Sequence, residues 1–228
     1  MLKCWSAGLV VGLIVVSSHA SAQIKKTHGA YLFRVKFTKG QIIRYGIDSQ
    51  VSMSKGAKPI HAGGPMSSKV LSVNGDKATL EITSGPISMN GRVLQEAKNV
   101  RVEEDTRGNV VGGTSQQIGL VFPQKAVKPG QSWDGQATLP SASGNMTKVN
   151  AHYRFIGMKT VSGHKTAQVA ATFNMSSPIK AAGRGMIYFL AQDGSMLRTD
   201  MTLKSTGQAG ASGPQGMSLN VRVVINRH

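Results

Sequence analysis

The stretch Met217 to Asn226, MSLNVRVVIN, decides the fold class. Met217, Leu219, Val221, Val223 and Ile225 fall on one side of an extended chain, and Ser218, Asn220, Arg222, Val224 and Asn226 on the other. Successive side chains of a strand point to opposite faces, so this period of two predicts a half-buried β-strand. The same grammar recurs outward from it. Tyr31-Leu-Phe-Arg-Val-Lys-Phe37 alternates apolar positions with two basic ones. Lys69 to Val73 and Lys77 to Thr83 flank Asn74-Gly75-Asp76, whose Asn-Gly pair supplies a tight hairpin turn. Ala97 to Glu103 reads as a strand closed by a turn over Asp105 to Gly108, ahead of Asn109-Val-Val111. Tyr153 to Met158, Thr166 to Phe173 and Gly185 to Ala191 are strand-like, and Gln192 to Ser195 is a turn. Met196 to Leu203 predicts a strand with Met196, Arg198, Asp200 and Thr202 on the face opposite Leu197, Thr199, Met201 and Leu203. Ser205 to Gly216 has four glycines and no large apolar side chain, a loop with nothing to bury. The one helical expectation is a short turn over Ser115 to Leu120. The fold class is therefore all-β, an antiparallel curved sheet or barrel-like fold, with many of the 27 glycines at bulges and corners.

Residues 1–22 read as a cleaved signal peptide. Lys3 is a basic n-region, Ala7 to Val16 an apolar h-region, and Ala20-Ser21-Ala22 a small-residue cleavage site that leaves Gln23 as the new N-terminus. The apolar run is too short to span a bilayer, which takes about 20 residues. Cys4, the single cysteine, lies before the h-region, so the mature chain carries no disulfide and no lipid on cysteine. The expected location is periplasmic or secreted. Removal of Lys3 leaves 26 basic residues against 10 acidic ones, a balance of +16. That excess favours anionic partners, an anionic lipid or a cell-envelope polymer with peripheral membrane contact, or else forms a generic basic surface. No dense arginine–lysine cluster points to nucleic acid. The oligomeric state is open.

The turns suggest that residues 23–228 are one all-β domain built from two similar halves, about 23–119 and 120–228. Lys39-Gly40-Gln41 returns as Pro129-Gly130-Gln131, Gly75 to Thr79 as Gly163 to Ala167, and Gly108 as Gly194 beside Asp193. Val121 to Gly135, VFPQKAVKPGQSWDG, then reads as the passage from one half to the other. Pro129 and Gly130 set a turn and Trp133 anchors the strand that follows.

Catalytic signals are sparse. Glu96, Glu103, Glu104 and Asp105 gather near one turn and read as solvated acids rather than a facing carboxylate pair. Calcium at Asp105 and Asn109 would lack the usual loop motif. His28, His61, His152, His164 and His228 are scattered, without metal-ligand spacing, so no metal or cofactor is expected. Ser132 has no recognisable base near it in sequence. No enzyme activity is expected, although a convergent His–Asp pair would reopen the question. The methionines read as core filling or, alternatively, as the lining of a lipid-accepting cavity, for which Met186, Tyr188 and Leu190 are the candidate ligand-binding residues. Asn145-Met-Thr147 and Asn174-Met-Ser176 match the glycosylation pattern, which matters only in a eukaryotic source.

Phe37-Thr-Lys-Gly-Gln-Ile-Ile-Arg-Tyr45, Phe122-Pro123 and Val127-Lys-Pro-Gly-Gln-Ser-Trp133 together resemble a group of uncharacterised exported bacterial β-rich proteins. The resemblance implies export and an antiparallel fold, and no activity. Three readings follow. The protein binds an anionic or amphipathic envelope component, carries a lipid or lipoprotein in an apolar cavity, or acts on a cell-wall polymer.

Overall fold

The computed structural model describes residues 22–52, 58–89, 92–111, 121–140, 146–175, 181–192, 194–206 and 218–228. Residues 1–21 of the expected signal peptide, the short helix expected over Ser115 to Leu120, Met217 and most of the glycine-rich loop lie outside them. The described residues are all-β, in one large antiparallel sheet and one hairpin. The hairpin pairs β1 (Ala22–Thr27) with β2 (Ala30–Val35).

The sheet runs in one unbroken order. β10 (Ser132–Pro140), β11 (Met146–Val161), β12 (His164–Met175), β13 (Ala181–Leu190) and β14 (Met196–Thr206) form a meander, followed by β15 (Ser218–Arg227). β15 pairs with β3 (Ile42–Ser52), which opens a second meander through β4 (Ile60–Asn74), β5 (Lys77–Ser84), β8 (Lys98–Asp105) and β9 (Val110–Val111). β6 (Ile87–Met89) and β7 (Arg92–Gln95) form a side branch on β4. The stretch that decided the fold class thus joins the two meanders, with Val221, Val223 and Ile225 buried as expected.

The two meanders open on turns with the same bonding. Gly40 N–H donates to Val70 O at 2.9 Å and Val70 N–H to Gln41 O at 3.0 Å. Gly130 N–H donates to Phe155 O at 2.6 Å and Phe155 N–H to Gln131 O at 2.9 Å. Just past each contact the ladder slips by one residue, at Val70/Ser72 and at Phe155/Gly157. A bulge bends its strand and increases the twist, so each turn docks where the sheet begins to curl. The six turn glycines singled out in sequence, Gly40, Gly75, Gly108, Gly130, Gly163 and Gly194, all have positive φ. Farther along, Gly185 lets β13 approach β14 closely, because a Cβ there would overlap Met201 and the Asp200 carbonyl.

The apolar face of the curved sheet packs on a strap made of β2 and residues 121–127. Tyr31 and Val127 exchange both backbone hydrogen bonds, at 2.8 and 3.0 Å. Val35 N–H reaches Thr106 O and Phe122 N–H reaches Arg107 O, both at 2.7 Å, which ties the strap to the turn after β8. Phe33, Phe122 and Phe155 are 0% exposed. Phe33 packs at 5.7 Å on Phe122, 5.2 Å on Phe155 and 6.0 Å on Trp133, and Phe122 meets Phe189 at 5.3 Å. Trp133 stacks on Tyr153 and donates its indole N–H to Val121 O at 2.8 Å. Within the passage VFPQKAV, Phe122, Pro123 and Val127 are therefore buried, while Gln124 and Lys125 stay exposed.

Several sequence expectations are corrected in detail. The strand at Tyr31 stops at Val35, the last residue paired with β1 (opposite Ala22), whose N–H points away from β1 to Thr106. Met196 lies on the buried face with Thr199, Met201 and Leu203, since the ladder slips between Tyr188 and Phe189 and Phe189 pairs with Met196. Glu104 is not a solvated acid: β8 runs on to Asp105, so Val102 and Glu104 both point inward, and Glu104 is 0% exposed. Asp105 caps its own turn. Its carboxylate accepts from the Arg107 and Asn109 N–H groups and from Asn109 Nδ2, which occupies the pair considered for calcium. Met66, Met175, Met196 and Met201 fill the core.

Trp133→Ala is expected to cost about 3 kcal/mol of stability by opening a cavity at the strap. The check is urea unfolding, where the midpoint falls while the slope stays constant.

Candidate functional site: the outward face of the sheet

Since the strap fills the inner face, the outward face is what the described sheet offers to a partner. Antiparallel strands place residues directly opposite one another, so the ladders define rows of side chains across the sheet. One row runs Asp134–His152–Thr172–Arg184 on the β10 side and continues through Thr202, Arg222, Gln50 and His61. A parallel row runs Gln136–Asn150–Asn174–Ala182 and continues through Lys204, Asn220 and Ser52. Gln50 and Ser52 are half-buried, and the other members are exposed. Asp134 is the only acid in the two rows.

Met186, Tyr188 and Leu190 share this face with Arg184. Each is half-buried, and they alternate along β13 with the buried Ile187 and Phe189. They stand on the far side of the sheet from the aromatic interior. Met186 lies opposite Ala170 and Asp200, and Tyr188 opposite Gln168 and Arg198. The Tyr188 hydroxyl accepts from Gln168 Nε2 at 3.4 Å. Gly40, Gly130, Gly75, Gly163, Gly108, Gly194 and Trp133 serve turns and core, as described above.

Asp200 organises the centre of the face. Arg222 grips it with two bonds, Nε to Oδ1 at 3.2 Å and Nη2 to Oδ2 at 2.9 Å, and Arg198 Nη2 stands 3.5 Å from Oδ2. The Arg222 hydrogen bond holds the Asp200 carboxyl below its usual range; burial opposes this, and the charges of Arg222 and Arg198 add to it. The bidentate geometry fixes the Arg222 guanidinium against the sheet.

Two other charged clusters lie at β10–β11 and at the strap. His152 Nδ1 lies 2.7 Å from Asp134 Oδ1, the His–Asp pair that would reopen an enzymatic reading. Their side chains are 55% and 82% exposed on an open face, so solvent screens the pair. Thr172, the next residue in the row, spends its hydroxyl on the His152 carbonyl at 3.5 Å. Arg34 and Arg107 lie close together at the strap. Arg34 donates to the carbonyls of Phe33, Pro123 and Gln124, and Arg107 to that of Phe122. Burial and the neighbouring Arg107 lower the Arg34 pKa, and Asp105 partly offsets them. These guanidiniums hold backbone, not ligand. Among the described residues no group of three or more His, Cys, Asp or Glu side chains is placed to hold a metal.

Sequence reading found the strands of this face but not the rows, which depend on register between strands far apart in the chain. Arg222 and Gln50, 172 positions apart in numbering, are directly opposite neighbours.

A carboxylate held below its unfolded pKa of about 4 stabilises the fold above that pH, and the contribution is lost as pH falls through the folded value. The stability advantage of the wild type over Asp200→Asn is therefore expected to be full at neutral pH and to shrink below about pH 4. Urea titrations of both proteins at a series of acidic pH values read it directly, and a constant difference would refute the coupling.

No protein-family model and no curated protein matches the sequence. Among solved structures the chain is similar to a Bacteroides fragilis protein presumed to be exported and described as having a YmcC-like fold. The two are 10% identical with a TM-score of 0.39, over 84% of this chain and 97% of that one, a likeness too low to equate the folds.

Proposed function

We propose that the protein is exported to the periplasm or beyond and binds an anionic component of the cell envelope through the outward face of its sheet. The observation that carries this reading is the pair of exposed rows, which hold Arg184, Lys204 and Arg222 with one acid of their own, Asp134, while Asp200 beside them pairs with Arg222. The mature balance of +16 supports it, because a long-range positive potential concentrates anionic partners at the surface. The signal-like residues 1–22 support the location.

The interior weighs against the alternative of a lipid carrier. Phe33, Phe122 and Phe155 stack where an acyl chain would have to lie, and each is 0% exposed. Lipid extraction of the purified protein is accordingly expected to yield no stoichiometric lipid. Among the described residues no nucleophile bonds to the exposed His152–Asp134 pair, and binding without chemistry is the reading proposed.

Electrostatic binding of this kind weakens with salt, since the screening length shrinks from about 30 Å at 0.01 M to about 3 Å at 1 M. The mature protein is expected to sediment with isolated bacterial envelopes at low salt and to be released progressively as salt is raised. Protein that stays in the supernatant at low salt, or binding indifferent to salt, would overturn the reading.

A further inference from the structure

We infer that the partner is an anionic glycan that crosses the strands along the two outward rows, an inference that rests on the envelope-binding reading above. The donor chemistry of the rows is the first reason. Thr172, Thr202, Asn174 and Asn220 are exposed and interspersed with the cations. Amides and hydroxyls both donate and accept, as the hydroxyls of a sugar chain do. A purely phosphate-reading surface needs donors and positive charge, with little use for acceptors.

Spacing is the second reason. Arg184 on β13, Lys204 on β14 and Arg222 on β15 occupy three consecutive strands, with Lys204 offset by one row. Strands lie about 4.8 Å apart, so Arg184 and Arg222 repeat at about 10 Å along the crossing direction. A polymer that presents an anionic group at that interval meets Arg184 and, two strands on, the Arg222 guanidinium, which it shares with Asp200. Between these cations the polymer meets Thr202, which is neutral and exposed.

Shape and apolar content select a polymer over a bilayer. The sheet curls around its strap, so the outward face is convex and a flat membrane would touch little of it. Binding at a membrane surface uses a coherent apolar face, often with aromatic residues. Among the described residues the exposed large apolar ones are Ile42, Val73, Val93 and Ile156, on four different strands, and none is aromatic. A flexible chain can follow the curve from strand to strand.

The experiment compares four forms of the mature protein by equilibrium binding to hyaluronan, a carboxylated glycan, to neutral dextran, and to phosphatidylglycerol vesicles. R184Q/K204Q removes two cations from the rows. K69Q/R101Q removes the same charge from exposed positions elsewhere on the outward face. N174A/N220A removes two amides and no charge. The wild type is expected to bind hyaluronan and not dextran, and R184Q/K204Q to lose about tenfold or more, equivalent to about 1.4 kcal/mol. N174A/N220A is expected to weaken binding at every salt concentration, and K69Q/R101Q to bind within about threefold of the wild type. Equal losses for the two charge variants, or an unchanged N174A/N220A, would overturn the glycan site while leaving envelope binding intact. Binding to vesicles but not to hyaluronan would assign the face to membrane and also overturn it. A wild type that binds neither probe and does not sediment with envelopes would remove both this inference and the reading beneath it.

Discussion

The backbone pairing of Tyr31 with Val127 is the interaction on which the rest of the structure depends. The eleven-strand path of the described residues would otherwise leave an apolar face in water. The strap brings Phe33 and Phe122 into that face and ties its own ends to the turns at Thr106 and Arg107. Burying an aromatic side chain of this size stabilises a fold by a few kcal/mol, and edge-to-face ring pairs add about 1 kcal/mol each. The strap also pairs the Phe122 N–H and both backbone groups of Val127. Arg34 and Arg107 complete this by donating to the carbonyls that the strap leaves unpaired.

That arrangement divides the molecule between two tasks. The inner face is filled by aromatic rings and aliphatic side chains, so positions such as Ile187, Phe189 and Val223 are committed to packing. The outward face is free of that duty and carries the polar rows. Curvature links the two, because the bulges after Val70 and Phe155 and the small Gly185 bend the strands over the strap. The same bend makes the outward face convex, which favours a partner able to follow it.

The strand grammar was legible because a period of two reports directly on which side chains are buried. Val221, Val223 and Ile225 show it cleanly, as do Tyr153 and Phe155. The turns were legible for a different reason: Gly40, Gly130 and their fellows need a positive φ that other residues resist, and so stand out in sequence. Bulges were not legible, and one of them moved Met196 to the buried face. The length of β8 was not legible either, and it carried Glu104 inward. VFPQKAV reads as a loop because its proline, Pro123, and short apolar run lack periodicity. The burial of Phe122 and Val127 follows from contacts with Tyr31 and Arg107 that no local pattern encodes. The candidate site was visible only as composition, an excess of basic residues, and the placement of Arg184, Lys204 and Arg222 on adjacent strands required the register.

Native-state hydrogen exchange tests the role of the strap most directly. If the Tyr31–Val127 pair holds the strap against the sheet, the amides of Tyr31, Val35, Phe122 and Val127 exchange only through global unfolding. Their protection then equals that of Val169 in the middle of β12, and it falls in parallel as denaturant is added. Exchange of those four amides by a local opening, under conditions where Val169 stays fully protected, would contradict the account.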